Sequence, residues 1–126
     1  MRHHLFFLAL LFSCVVAYGQ PKTVTVAYPS VASVVTYKDG LLKADGTALF
    51  VGGNGDVVAS GKLFVGADSA VVIDNNGKVR PVRNIVGMDD MFDCVKVRVA
   101  NDKKIKYLAP SASKVNLGDE LYMLTY

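Results

Sequence analysis

Four consecutive residues, Gly52-Gly53-Asn54-Gly55, constrain the fold more than any other stretch. Three glycines and an asparagine tolerate the positive φ values of a tight hairpin, so a strand is expected on each side, over residues 47–51 and 56–60. A phosphate-cradling loop needs a helix that opens on Lys-Ser/Thr after its glycines, and none follows here. Other turn signals punctuate the chain at near-regular intervals: Lys38-Asp39-Gly40, Asp45-Gly46, Asn75-Asn76-Gly77-Lys78 and Asp89-Asp90-Met91-Phe92. Between them lie short runs rich in β-branched residues, at 31–37, 41–44, 69–74, 79–88 and 93–99, with a further short strand expected at 105–108. In the 93–99 run, Val95, Val97 and Val99 alternate with Lys96 and Arg98, which places one face in a core and the other in water. Helical periodicity is missing beyond the N-terminal leader. The spacing predicts an all-β protein, a single antiparallel barrel or sandwich of six to seven strands.

The first nineteen residues read as an export signal. Met1-Arg2-His3-His4 is a short basic start, and the apolar run from Leu5 to Ala17 is shorter than the ~20 residues a membrane span needs. Ala17 and Gly19 are the small residues a signal peptidase requires, so cleavage is expected before Gln20. An alternative makes Leu11-Phe12-Ser13-Cys14 a lipoprotein box, with acylation at Cys14 and a lipid-anchored envelope protein as the result. Either way the mature chain is exported, periplasmic or secreted, and residues 20–28 form a leader or an edge strand that Pro29 ends.

Loss of the leader removes both histidines, His3 and His4, and leaves Cys94 as the one cysteine that follows it, so no intrachain disulfide is available. Without Arg2 the chain carries 13 basic and 11 acidic residues, a net charge of +2, scattered too evenly for nucleic acid or an anionic membrane. No cofactor motif is present, and no transmembrane span is expected in the mature chain. Asp89, Asp90 and Asp93 do not match a calcium-loop spacing.

Residues 46–67, read with 92–99, resemble the first barrel of trypsin-like (chymotrypsin-fold) serine peptidases, of the bacterial high-temperature-requirement type. In that family a Gly-Ser/Thr-Gly-Phe strand and a turn lead into a Thr-Asn-x-His-Val segment. Here Gly46-Thr47-Ala48-Leu49-Phe50 and the glycine turn lead into Ser60-Gly61-Lys62-Leu63. The resemblance places the family's catalytic histidine at Lys62 and a single helical turn over 62–65. Its aspartate-led strand, Asp-Leu-Ala-Leu-Leu-Lys-Val, matches Asp93-Cys94-Val95-Lys96-Val97-Arg98-Val99. Pro29-Ser30-Val31 resembles a Pro-Ser-Val-Val segment, so the similarity runs over residues 29–126 and selects the barrel. The catalytic serine belongs to a second barrel with no counterpart in this sequence.

The chemistry implied is degenerate. A lysine ammonium, with a pKa near ~10.4, holds its proton at neutral pH and lacks the two-nitrogen relay of an imidazole. A neighbouring Asp93 would favour its charged form further. Lys62 therefore reads as a surface lysine. Asp93 reads as a corner residue that accepts backbone hydrogen bonds, Ser60 as a turn residue, and Cys94 as a buried small hydrophobe or the site of an intermolecular disulfide. The closing run Leu121, Tyr122, Met123, Leu124 and Tyr126 is apolar on both faces. It is expected to form a terminal strand that offers an interaction surface, for a protein or peptide partner or for self-association. The function expected is a pseudo-peptidase half that acts as a binding or assembly module. The alternative is the N-terminal part of a serine endopeptidase completed by a second barrel or a partner chain.

Overall fold

The computed structural model describes residues 19–126. Residues 1–18, which hold Cys14 and all but the last residue of the expected export signal, lie outside the described residues. Six strands, β1 (Val31–Lys38), β2 (Leu41–Phe50), β3 (Asp56–Ala59), β4 (Ser69–Ile73), β5 (Val79–Asp89) and β6 (Cys94–Val99), close into one antiparallel barrel in the order β1-β2-β3-β6-β5-β4. The fold is all-β, with one short helix, α1 (Lys22–Ala27), and 3₁₀ turns at Tyr28–Ser30 and Gly61–Phe64.

Strand alternation builds the interior. Val95, Val97 and Val99 of β6 point inward and are buried, and they meet Ala32 and Val34 of β1, Phe50 of β2, Val57 of β3 and Val72 of β4. Mostly small β-branched side chains fill the six-stranded lumen, and Phe50 is the one large, fully buried ring among the described residues. Thr36 also faces inward, fully buried, and donates its hydroxyl to the Leu63 carbonyl at 2.8 Å. That bond ties the Gly61–Phe64 turn to the barrel wall.

Four local expectations are corrected. Asp45-Gly46 is not a turn, because β2 runs straight through it, with Gly46 opposite Val34. A Cβ at Gly46 would come within 2.8 Å of Leu63 Cδ1, so this glycine marks a close approach. Within residues 20–28, Lys22–Ala27 form α1 where an edge strand is one expectation. The β1–β4 ladder closes the barrel and leaves β1 no free edge there, and the carbonyl of Pro21 accepts the Val24 and Thr25 amides to start a helix.

Residues 105–108 join no ladder either. A turn at Asp102, whose carbonyl accepts the Ile105 amide, aims Ile105 into one mouth of the barrel, where it is buried. One bond, from the Leu108 amide to the Phe50 carbonyl, holds the segment to β2. Residues 121–126 likewise form no strand. Leu121, Tyr122 and Leu124 line a shallow groove together with Thr23, Val24 and Ala27 of α1. The Tyr126 amide donates to Thr47 Oγ1 at 3.3 Å, and Met123 stays 90% exposed.

Candidate functional site

The two positions singled out by sequence meet at the end of the barrel where β3 leaves and β6 begins. Asp93 closes the β5–β6 turn with φ +50°, in the left-handed region that aspartate tolerates better than most side chains. This conformation turns its carboxylate back onto the Gly61–Phe64 turn. Oδ1 accepts the Lys62 amide at 2.9 Å, Oδ2 accepts the Ser60 hydroxyl at 2.5 Å, and the Asp93 carbonyl accepts the Gly61 amide at 3.3 Å. The Ser60 hydroxyl and then the Lys62 amide hold the Asp93 carboxyl below the ordinary carboxylate range.

Lys62 is joined to Asp93 through its backbone. The ion pairs among the described residues do not link its ammonium to Asp93, and the residue is exposed. The carboxylate thus fixes the entry of a 3₁₀ turn, work that a corner aspartate does in any fold. Ser60, read from sequence as a plain turn residue, is instead the donor of the shortest contact in the cluster. Nothing in its Ala-Ser-Gly context signals this. Only the meeting of β3 with β6 brings it to a residue 33 positions away.

Cys94 is corrected from buried to half-buried. The β6 alternation puts it on the outer face with Lys96 and Arg98, while Val95, Val97 and Val99 take the core. Asp89 spends Oδ1 on the Met91 and Phe92 amides, at 3.0 and 3.2 Å, and so shapes the hairpin tip. Among the described residues no group of three or more His, Cys, Asp or Glu side chains is placed to hold a metal ion, and no helix is long and apolar enough to cross a membrane.

Two ionic clusters escaped the sequence reading. On the barrel wall, buried Asp56 of β3 faces Arg98 of β6, with Arg98 Nε at 2.7 Å and Lys96 Nζ at 3.1 Å. The Arg98 guanidinium, helped by Lys96, lowers the Asp56 pKa to about 2 against the opposing effect of burial. At the mouth closed by Ile105, buried Arg80 reaches Asp74 Oδ2 with Nε at 3.1 Å and Nη2 at 2.9 Å, and Asp102 Oδ2 with Nη1 at 3.0 Å.

Asp56 gives a pH-dependent expectation. A carboxyl with a depressed folded-state pKa adds stability above its unfolded value near 3.8, and that stability is lost as pH falls through about 2. Lys96 and Arg98 are partly solvated, so the contribution is about 1–2 kcal/mol. Asp56→Asn is therefore expected to melt below wild type at pH 6, and the gap should close by pH 2. A gap unchanged across that range would contradict the charge assignment.

No protein-family model matches the chain, and no curated protein sequence matches it. Among solved structures the barrel is similar to the serine endoprotease from Yersinia pestis, with a TM-score of 0.68 and 18% sequence identity over 76% of this chain and 35% of that one. This likeness establishes the fold, that of a serine-endoprotease barrel. The chain spans little more than a third of that protein's length.

Proposed function

We propose that the chain is an exported relative of trypsin-like serine endopeptidases that has lost triad chemistry and works as a protein-binding or assembly module. The observation that carries this reading is the Asp93 carboxylate. In a working triad it orients an imidazole and stabilises the imidazolium. Here its two oxygens serve the Ser60 hydroxyl and the Lys62 amide, and the residue in the histidine's place is an exposed lysine. The chain's only histidines, His3 and His4, lie in the leader. Exposed Met91 and Phe92 at the β5–β6 tip, and the uncovered side chains of the C-terminal run, give such a module apolar surface for a protein or peptide partner.

Hydrolysis of a fluorescent unfolded protein tests the reading. Protein recovered from the periplasmic fraction, with an intact mass matching Gln20 to Tyr126, is expected to show no turnover above the blank. Lys62→His is expected to remain inactive, because one imidazole supplies neither a serine nucleophile nor an oxyanion hole. Turnover by the wild-type chain that disappears in Asp93→Ala would favour the alternative, an endopeptidase N-terminal barrel completed by a partner.

A further inference from the structure

The end of β5 is left without a neighbour. β4 pairs only with Val79, Arg80 and Pro81, yet β5 continues to Asp89. From Arg83 to Asp89 every residue is exposed, and β6 lines only one edge. The opposite edge carries backbone N–H and C=O groups that no strand among the described residues receives. Such an edge is a template for another strand. The β6 ladder also skips Arg83 and Val86 through two register shifts, which frees both residues from pairing on that side.

The order of side chains along this edge selects its occupant. Arg83-Asn84-Ile85-Val86-Gly87-Met88-Asp89 is charge-complementary to itself when reversed. An antiparallel pairing centred on Val86 sets Arg83 opposite Asp89 twice, Asn84 opposite Met88, and Ile85 opposite Gly87. Ile85, Val86 and Met88, which are 52%, 43% and 46% exposed, would then be drawn toward cover. A two-fold axis closes this contact after two copies, so it does not propagate into a fibre.

We propose that a second copy of this chain docks antiparallel on β5 through residues 83–89, joining two barrels by a continuous ribbon. The inference deepens the assembly-module reading, and it places self-association at β5, away from the C-terminal run. A seven-residue ribbon is a small interface, so the dimer is expected to be weak and concentration-dependent.

Analytical ultracentrifugation of protein purified from cells that express the whole 126-residue chain is the test. A monomer–dimer equilibrium is expected. Arg83→Asp, which places like charges opposite each other at both ends, should weaken it by about tenfold, whereas Arg83→Lys preserves it. In a Cys94→Ser background, Val86→Cys lies directly opposite its own copy, ~4.5–5.5 Å between Cβ atoms, and should form a disulfide dimer on mild oxidation. Ile85→Cys, diagonal to its copy, should link far less. A chain that stays monomeric at every concentration overturns the proposal and leaves the edge to a different partner. A dimer indifferent to Arg83→Asp, or one in which Ile85→Cys links as readily as Val86→Cys, also overturns it. Loss of the dimer would leave the hydrolysis result untouched, so this proposal and the non-catalytic reading fail separately.

Discussion

Arg80→Met is expected to destabilise the barrel by about 3–5 kcal/mol, among the largest effects of any side-chain replacement in this chain. Arg80 is 6% exposed and forms a fork between two carboxylates, with two nitrogens on Asp74 and a third on Asp102. Burial pushes the Asp74 carboxyl toward its neutral form, but the Lys78 amide, the Arg80 guanidinium and the Asn76 amide together keep its pKa below the ordinary value. Methionine fills most of the arginine's volume and supplies no donor, so the variant strands the charge of Asp74, whose side chain is only 12% exposed, without its guanidinium. The penalty comes from that orphaned charge. Arg80→Met combined with Asp74→Asn should therefore recover part of the loss, since the amide removes the charge while its oxygen can still accept the Asn76 and Lys78 amides.

Lys78 makes an instructive control. Its ammonium also reaches Asp102 Oδ2, at 2.8 Å, but the side chain is 58% exposed. Lys78→Ala should lower the stability measured by urea unfolding by no more than about 0.5 kcal/mol. If Arg80→Met behaved like Lys78→Ala, the network would be decorative, and Ile105 alone would have to close that mouth of the barrel.

The contrast between these residues shows what a sequence can disclose. Val95, Val97 and Val99 announce their inward face by alternation, and Asn75-Asn76-Gly77-Lys78 announces a hairpin, because both signals are written within a few neighbouring residues. The same alternation, carried along Val79-Arg80-Pro81-Val82, sets Arg80 on the face of half-buried Val82. That was a readable sign of a buried charge needing partners, and Asp74 lies six residues back across the hairpin. Asp102 was not readable, since its approach depends on how the chain returns after β6. Gly46 and Ser60 failed for a similar reason. Glycine is equally suited to a turn and to a close approach, and only the position of Leu63 decides between them. The candidate site divides along the same line. Lys62 and Asp93 were found through resemblance, whereas the contact that unites them, a backbone amide on a carboxylate, has no side-chain signature. The apolar run 121–126 suggested a strand by composition, yet the described barrel closes without it.

Gly55→Ala should destabilise the fold by about 3–5 kcal/mol, and Gly77→Ala by only about 1 kcal/mol, although both glycines sit in hairpin turns with similar positive φ. Gly55 has φ +90° and Gly77 φ +82°, so each alanine would incur a comparable backbone strain. They differ in what the new methyl meets. At Gly77 no atom lies within 4 Å, and the strain stands alone. At Gly55 an added Cβ would fall 2.5 Å from the Val99 carbonyl oxygen and 3.2 Å from its carbon. A side-chain tip can swing aside, but this neighbour is backbone, and it is anchored because the Val99 amide donates to the Gly55 carbonyl at 3.0 Å. Relief therefore requires the β2–β3 turn to lift from the end of β6. That movement would loosen the Asp56–Arg98 pair one step along the ladder. Chemical denaturation of the two variants beside wild type measures both terms. Equal losses would mean that the turn yields freely and that Gly55 is needed for its dihedral angle alone. A loss at Gly55 several times that at Gly77 would show that the glycine cluster, read first as a hairpin signal, also seats the hairpin against the strand that carries Lys96 and Arg98.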